Sequence, residues 1–366
     1  MKIMYLTTAR HPEDYKNFLK ERQVAPNPSN QHFHTKLINL LASEFEVLAF
    51  SIRPMEKDLF LHESHNENYY YPSYVNIPFL KLGGIIRNGR QMVTTVKPEL
   101  IVVDSTNVTL LRLANKLKES FGIKVIAVLT DNPMNITGAK KEYKESIFKE
   151  VKKCDGFISL TNGLLRISDV LNKPYFVTPG FIEENNVFVE KGEKYAFFAG
   201  ALYERYGVKN LIDAFKLSDV PYLLKIAGHG PLAHEISENP HPNIEFLGHI
   251  SPEEAMDYAK HATLNINPRP EDPQIDLYSV PSKVIDYINS GTITISTKNS
   301  EIYNLVADDI YWINDNEPET IKNAMIEISE NHSYFHAKAM RAKENLSAQL
   351  NHEKQLDAFK ELVKKL

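Results

Sequence analysis

Cysteine is nearly absent. Cys154 is the only one in 366 residues, so no disulfide can form within the chain. That fits a reducing compartment, and Cys154 reads as a buried structural thiol. No stretch approaches the ~18 consecutive apolar residues of a membrane span. The opening residues, MKIMYLTTAR, lack a long apolar core and a small-residue cleavage site. They read as a first strand, not a signal peptide, and the expected location is the cytosol. A net charge of −5 gives no basic surplus for nucleic acid. There is no G-x-G-x-x-G fingerprint, no Asp-x-Asp at a strand end to hold a metal, no low-complexity segment and no short-period repeat. What remains is an ordinary soluble composition, 43% hydrophobic and 24% charged, in a chain too long for one usual core. Two domains are expected.

Apolar runs alternating with helical periodicity fill both halves. In the first half, strands are expected at 2–7, 46–52, 99–104, 124–133, 156–161 and 174–181. Helices fall near 31–43, 81–96, 108–120 and 139–153. Residues 9–30 are polar, with Pro12, Pro26 and Pro28 breaking any long helix, and read as a long loop after the first strand. Residues 53–78 read as an aromatic loop with Tyr69, Tyr70, Tyr71 and Tyr74, for which packing is the stronger reading than acceptor lining. The basic amphipathic stretch 140–153 reads as a surface helix over the sheet, with peripheral membrane contact as the competing role. An acidic, polar linker is expected around 183–194. The βα rhythm then restarts, with strands at 195–200, 222–228, 244–250, 264–267 and 310–313 and a charged helical tail from 317. Repeated βα units predict two doubly wound open sheets. The domains expected are 1–185 and 195–345, with a helix over 346–366 returning toward the first.

Residues 264–296 carry the chemistry: strand LNIN, a loop rich in Pro and charge, then SVPSK, a helical VIDYINS, Gly291 and strand TITIS. In parallel α/β sheets ligands sit at the carboxyl ends of strands, against such loops. Pro281 suits a first helical position. Ser282 and nearby amides would lie at a helix N-terminus that favours an anion, and Lys283 adds a full positive charge. Asp286, one turn on, could accept hydrogen bonds from sugar hydroxyls. The pattern suits a diphosphate and a ribose; a capped helix with an exposed lysine is the plainer alternative.

Four spaced blocks extend this reading: FFAGALYERYGVKNLIDAF (197–215), LKIAGHGPL (224–232), NIEFLGHISPEEAMDYAKHATLNINP (243–268) and YSVPSKVIDYINSGTITIST (278–297). Their order and spacing resemble the donor-binding domain of GT-B glycosyltransferases, in particular the glycosyltransferase family 4 group. The resemblance implies two Rossmann-like domains facing a central cleft, and a nucleotide sugar, most simply a UDP-sugar, as co-substrate. No cofactor and no metal is implied. Gly200 would let backbone approach the diphosphate. The cations that many relatives carry beside it are missing, and Arg205 and Lys283 are the substitutes. Gly228, His229 and Gly230 form the next glycine turn. Gly248, His249 and Ile250 resemble the segment that meets the nucleobase. The family's Glu-x7-Glu motif is altered: Asp286 takes the ribose-contacting place and Tyr278 stands at the first glutamate. A Ser-x-Pro-Ser-Lys-x-x-Glu-Tyr pattern of related bacterial polysaccharide enzymes fits better, through Ser279, Pro281, Ser282, Lys283, Asp286 and Tyr287. A sugar-contacting carboxylate would then come from Glu271, Asp272 or Asp276.

The implied reaction is sugar transfer to a glycan or lipid-linked acceptor in surface polysaccharide or glycoconjugate assembly, in the cytoplasm or at the inner face of the membrane. Helix N-terminus, Ser282, Lys283 and Arg205 would stabilise the leaving diphosphate. Asp131 and Asp104, at strand ends of the first half, are candidates to orient or deprotonate the acceptor hydroxyl; an Asp after a strand is also a common helix cap. Gln31, His32 and His229 are weaker candidates. His32 and His34, two apart, do not share a helical face as a metal pair would require. The alternatives are a non-catalytic nucleotide-sugar-binding or scaffold protein of the same fold, and a nucleotide-sugar epimerase.

Overall fold

The structure is a computed structural model, and it describes residues 1–22, 28–53, 56–136, 138–182 and 194–366. The chain forms two compact units. The first comprises Met1–Phe181, Leu277–Ser279 and His352–Leu366; the second comprises Ile182–Asp276 and Val280–Asn351.

In chain order the first unit holds β1 (Lys2–Thr7), α1 (Pro12–Arg22), α2 (Pro28–Ala42), β2 (Glu46–Ser51), β3 (Phe60–Leu61), β4 (Ser64–Asn66), β5 (Tyr69–Tyr71), β6 (Tyr74–Val75), α3 (Pro78–Val96), β7 (Leu100–Asp104), α4 (Val108–Phe121), β8 (Lys124–Leu129), α5 (Lys141–Val151), β9 (Gly156–Ser159), α6 (Asn162–Ser168) and β10 (Tyr175–Val177). Among the described residues, eight of these strands form one sheet in the order β10-β9-β8-β7-β1-β2-β5-β4, while β3 and β6 make a separate antiparallel pair. Every pairing in the large sheet is parallel except β4 with β5. The central strands β1, β7, β8 and β9 are buried on both faces, as a sheet covered on both sides requires. Parity sorts the side chains. Met4 and Leu6 join the cluster with Val93, Leu110 and Ile147 from α3, α4 and α5. Ile3 and Tyr5 join Leu37 of α2 on the other side.

Several expectations change here. The polar stretch 9–30 is helical at both ends: Pro12 opens α1 and Pro28 opens α2, where a missing N–H removes no helical hydrogen bond. Pro26 lies outside the described residues. The segment 53–78 is not plain loop but carries β3 to β6. Its tyrosines Tyr69, Tyr70, Tyr71 and Tyr74 are all buried, so they pack the interior. The basic stretch 140–153 becomes α5, with Ile147 and Val151 in the core and Lys141 paired with Glu145. Cys154 is fully buried, and burial pushes its thiol up to about 12.

The second unit holds β11 (Tyr195–Ala201), α7 (Val208–Lys216), β12 (Leu223–His229), α8 (Pro231–Glu238), β13 (Ile244–Phe246), α9 (Pro252–His261), β14 (Leu264–Asn267), α10 (Pro273–Asp276), α11 (Ser282–Asn289), β15 (Ile293–Thr297), α12 (Ser300–Val306), β16 (Tyr311–Ile313), α13 (Pro318–Glu330) and α14 (His332–Leu350). Its sheet is entirely parallel in the order β13-β12-β11-β14-β15-β16. Read from its own first strand this is 3-2-1-4-5-6, the doubly wound order whose ligand crevice opens where the winding reverses, between β11 and β14. β11 pairs with β12 over all its residues from Tyr195 to Ala201 but with β14 only at Ala196 and Phe197. Beyond Phe197 the two strands part. In β11, Ala196 and Phe198 face one core cluster and Tyr195 and Phe197 the other.

The strand expected over 244–250 ends at Phe246, and Gly248 to Ile250 follow it as loop. The last helix is α15 (His352–Lys364), which counts with the first unit and packs Leu356, Phe359 and Leu362 beside Ile3 and Tyr5. The expected 346–366 helix is thus cut at Asn351, and 346–350 stays in α14 with the second unit. The linker expected at 183–194 lies outside the described residues except for Lys194.

Candidate active site

The gap between β11 and β14 is filled from α11. Residues 196, 198 and 200 share one face of β11 by strand parity. Ala196 and Phe198 carry side chains there; Gly200 carries none. Into that space comes Lys283, from the first turn of α11. Its ammonium lies 4.6 Å from the centre of the Phe198 ring, a cation–π contact. A Cβ built on Gly200 would overlap the Lys283 Nζ. A side chain at 200 would push the lysine's movable end out of that space. One turn later in α11, the Tyr287 hydroxyl accepts the Ala199 amide N–H at 3.1 Å. That N–H sits where β11 has left β14, so a side chain replaces the missing ladder partner. The spacing of four puts Lys283 and Tyr287 on one helix face.

Lys283 sits in a half-buried position. Burial, and secondarily the positive charge of Arg269, push its ammonium down to about 8 from an ordinary 10.5. Arg269 follows the carboxyl end of β14. Its guanidinium is 3.1 Å from Asp276 Oδ1, both side chains being largely shielded from solvent, and its carbonyl accepts the Thr297 hydroxyl at 2.6 Å. Two cations thus meet at the crevice mouth, one matched by a carboxylate and one not matched among the contacts described.

The loop between β14 and α11 uses its carboxylates unequally. Asp276 binds Arg269 and also accepts the Asp272 backbone N–H at 3.0 Å. Asp272 caps α10, accepting from the amides of Gln274 at 3.0 Å and Ile275 at 3.2 Å. Glu271 is exposed and makes no hydrogen bond or ion pair among the described residues. Of the three carboxylates offered for sugar contact, two hold the loop and one stands free.

The remaining expected donor residues fall into three groups. On the strands beside β11, Gly228 ends against the Gly200 carbonyl, where a Cβ would overlap it, and Gly228 N–H bonds the Gly248 carbonyl at 2.8 Å. Gly230 precedes α8 and packs on the Leu202 carbonyl. His229 and His249 are exposed, with rings edge to face at 5.6 Å, and Ile250 packs on the Tyr195 cluster. On α11, Ser282 is the exposed first residue and Asp286 lies one turn in. Pro281 precedes the helix instead of opening it; its ψ of 89° is not helical. The third group is displaced. Arg205, in a 3-10 turn (Glu204–Tyr206), is exposed and stacks on Tyr206 at 4.9 Å and Tyr203 at 5.3 Å. Tyr278 and Ser279 count with the first unit, where the Tyr278 ring packs on the core.

In the first unit, Asp104 ends β7 beside β1, where that sheet also reverses its winding. It is fully buried. Oδ2 accepts from the Thr8 hydroxyl and the Asn30 amide, each at 3.2 Å, and Oδ1 from the Thr106 hydroxyl at 2.7 Å and amide at 2.9 Å. His34 Nε2 lies 3.5 Å from Oδ1, and its Nδ1 is 2.6 Å from the Tyr5 hydroxyl. Burial opposes ionisation of Asp104, but His34 and Thr106 outweigh it and hold the carboxyl well below its ordinary range. Asn30 also accepts from Thr130, the residue before Asp131. Asp131 itself is exposed. Gln31 is buried and bonded to the Arg10 backbone, and His32 is exposed with its ring 6.4 Å from Tyr15.

Arg269 does not figure in the sequence reading, where Tyr287 appears only as the last residue of a pattern and His34 only as half of a rejected metal pair. Arg269 had a usable signal: a cation two residues past a strand that ends at the winding reversal. Among the described residues no group of three or more His, Cys, Asp or Glu is arranged to hold a metal ion, and no helix is long and apolar enough to cross a membrane.

Comparison with known proteins bears on the fold that carries this site. Residues 182–349 match the family model for glycosyl transferases group 1. Among solved structures, the chain is similar to sucrose-phosphate synthase from Thermosynechococcus elongatus, at 13% identity and TM-score 0.71, with all of both chains covered. It is similar to Anabaena Alr3699/HepE in complex with UDP, at 12% identity and TM-score 0.72, again with all of both chains covered. It is similar to the lipopolysaccharide outer core galactosyltransferase WaaB in its apo form, at 14% identity and TM-score 0.65, with 99% of each chain covered. At such identities these likenesses speak for the fold. A search of curated proteins gives no match. The second unit matches the family model for glycosyl transferases group 1 over most of its length, and the chain has the GT-B fold of the glycosyltransferases to which it is similar.

Proposed function

We propose that the second unit binds a UDP-sugar at the split between β11 and β14, and that Lys283 is the cation that meets its diphosphate. One observation carries this reading: the Lys283 ammonium is lodged in the space left by Gly200, at the winding reversal, at a cost in solvation that packing alone does not require. A dianionic diphosphate would restore the favourable surroundings that burial removes. Arg269 and the amides at the start of α11 add to the positive field, and all are in place before charge develops on the leaving group. Asp286 takes the ribose hydroxyls, His249 and Ile250 border the base, and Gly228 to Gly230 let backbone approach the phosphates. Glu271 is the free loop carboxylate for the donor sugar. Arg205, held by its tyrosines, has no part in the diphosphate site.

The first unit holds the acceptor, a glycan or a lipid-linked sugar. Asp131, exposed at the end of β8, orients its hydroxyl. Asp104 is a positioning residue: its oxygens are occupied and its low affinity for protons makes it a poor base. The UDP complex of HepE and the likeness to WaaB, a lipopolysaccharide outer core galactosyltransferase, support a nucleotide-sugar donor and a surface-glycan acceptor. The test is isothermal titration with UDP, GDP, ADP, CMP and dTDP, repeated on Lys283→Met. Tight binding of UDP alone, lost in the variant, is expected. Equal affinity in the variant would remove Lys283 from the site, and no nucleotide binding by a folded sample would remove the site altogether.

A further inference from the structure

A second surface of the first unit has no part in this chemistry. Leu59 is 51% exposed, Phe60 60%, Ile77 39% and Leu80 57%, an unusual density of bare apolar side chains in one short region. They are neighbours by hydrogen bonding. Phe60 pairs with Val75 in the β3–β6 ladder. The Asn76 N–H bonds the Leu59 carbonyl at 2.8 Å. Ile77 is the N-cap of α3, and its carbonyl accepts from Leu80 and Lys81. The arrangement is braced from within. Asn76 Nδ2 donates to the carbonyls of Glu56 at 2.9 Å and Asp58 at 3.3 Å, and Lys81 Nζ donates to Asn76 Oδ1 at 3.3 Å. Leu61 and Tyr74 lie buried beneath. These residues are held outward by structure, not by a lack of it.

The charge on the adjoining helix has one sign. α3 contains no Asp or Glu in 19 residues, and it carries Lys81, Arg87 and Arg90. Leu80, Gly83, Arg87 and Arg90 are all exposed. Their spacings of three, four and three put them along one face of the helix. An apolar cluster therefore continues into a cationic stripe. On the strand side, Lys57 and Asp58 offset each other, and Glu63 is engaged by the Tyr70 hydroxyl at 3.1 Å. Monomeric proteins seldom expose contiguous apolar surface without a use for it. A protein groove would present acids at particular points; a cationic line on one helix face, continuous with protruding apolar side chains, matches an extended anionic plane.

We propose that this face, Leu59, Phe60, Ile77 and Leu80 with Arg87 and Arg90, docks on an anionic lipid bilayer. The apolar side chains enter the headgroup boundary and the cations meet lipid phosphates. This differs from the membrane role considered for 140–153, whose apolar residues are taken up by the core. It stands independently of the donor-site reading.

The experiment is flotation of the full chain with vesicles of phosphatidylcholine alone or mixed with phosphatidylglycerol, at low and high salt. Binding to the mixed vesicles, weakened by salt, is expected. Phe60→Ser with Leu80→Ser should lower partitioning at least about tenfold. Arg87→Gln and Arg90→Gln should each lower it about fivefold on mixed vesicles only. Leu171→Ser, equally exposed elsewhere, should leave it unchanged. Circular dichroism and melting of each variant separate unfolding from lost docking. Failure of the native chain to float with the mixed vesicles overturns the proposal. So does loss of flotation in Leu171→Ser equal to that in the double variant, or a concentration-dependent dimer abolished by Phe60→Ser with Leu80→Ser.

Discussion

Replacing Lys283 with Met should strengthen the fold and weaken the site. The native lysine has its ammonium pushed from 10.5 to about 8, mainly by burial and then by Arg269. Such a displacement corresponds to roughly 3 kcal/mol of work to keep the amine charged in the folded state. The sign follows from linkage. Below pH 8 the amine is charged both folded and unfolded, and the cost is present in full. Between about 8 and 10.5 the folded state releases its proton first, so the unfolded chain holds more protons and stability rises with pH. Methionine keeps an apolar stem, one atom shorter and without the charge, and loses a cation–π contact worth about 1 kcal/mol. At pH 7 the variant should therefore be more stable by about 1–2 kcal/mol, and the difference should shrink toward pH 10. Denaturant unfolding at both pH values reads this directly. UDP affinity should move the other way, since a charge-assisted hydrogen bond lost from a site costs about 1.5–3 kcal/mol, or roughly tenfold to a hundredfold. Native affinity should also fall above pH 8, about tenfold per pH unit, as the free amine loses its proton. A variant that is less stable at pH 7 and binds UDP as well as the native chain would refute both the enclosure of the amine and its role.

Further outcomes follow from other contacts. Gly200→Ala should lower stability by about 1 kcal/mol through its positive φ of 159°, and should weaken UDP binding by pushing the Lys283 ammonium from its place, read by denaturant unfolding and titration calorimetry. Tyr287→Phe should lower stability by about 1–3 kcal/mol by leaving the Ala199 amide without a partner, read by denaturant unfolding. Asp104→Asn should lower it by about 3 kcal/mol, since a buried carboxylate with its set of donors is disrupted. In the native chain the Asp104 contribution should be present above the ordinary carboxylate range and lost as pH falls below it, and acid melting of the variant should lack that part of the decline. Cys154, buried with its thiol raised to about 12, should react with a thiol reagent only as fast as the protein opens.

Much of the architecture was legible because parallel sheets covered on both faces leave a plain record. Continuous apolar runs such as Leu100–Asp104 and Lys124–Leu129 can hardly be anything else, and their ends are marked by Asp, Asn or Gly. The short elements were not legible. β3 to β6 are two or three residues each, too brief for a period to register. α1 was hidden by Pro12, which breaks a helix when interior and starts one when first. The break at Asn351 between α14 and α15 has no apolar signature either, since both helices keep helical spacing across it.

The site shows a different limit. Sequence pattern identified Lys283 and Gly200 separately, one as a charge for phosphate and the other as a gap for phosphate. What it could not supply was that the lysine occupies the gap, because that depends on strand parity in β11, the early parting of β14 and the pitch of α11 at once. Arg205 looked like the substitute cation because it is near Gly200 in sequence. Arg269 is distant in sequence, and it is the cation that lowers the Lys283 ammonium. The difference is topological: β11 and β14 are neighbours in the sheet although two strands intervene in the chain. At a winding reversal, residues far apart in sequence come to the same edge, and sequence proximity is the wrong guide to which charges act together. The same reasoning applies at the reversal in the first unit, where Thr8 and Asp104 meet across β1 and β7. In both sheets the polar groups collect where the winding turns, because only there does the backbone open far enough to leave room for side chains between strand ends.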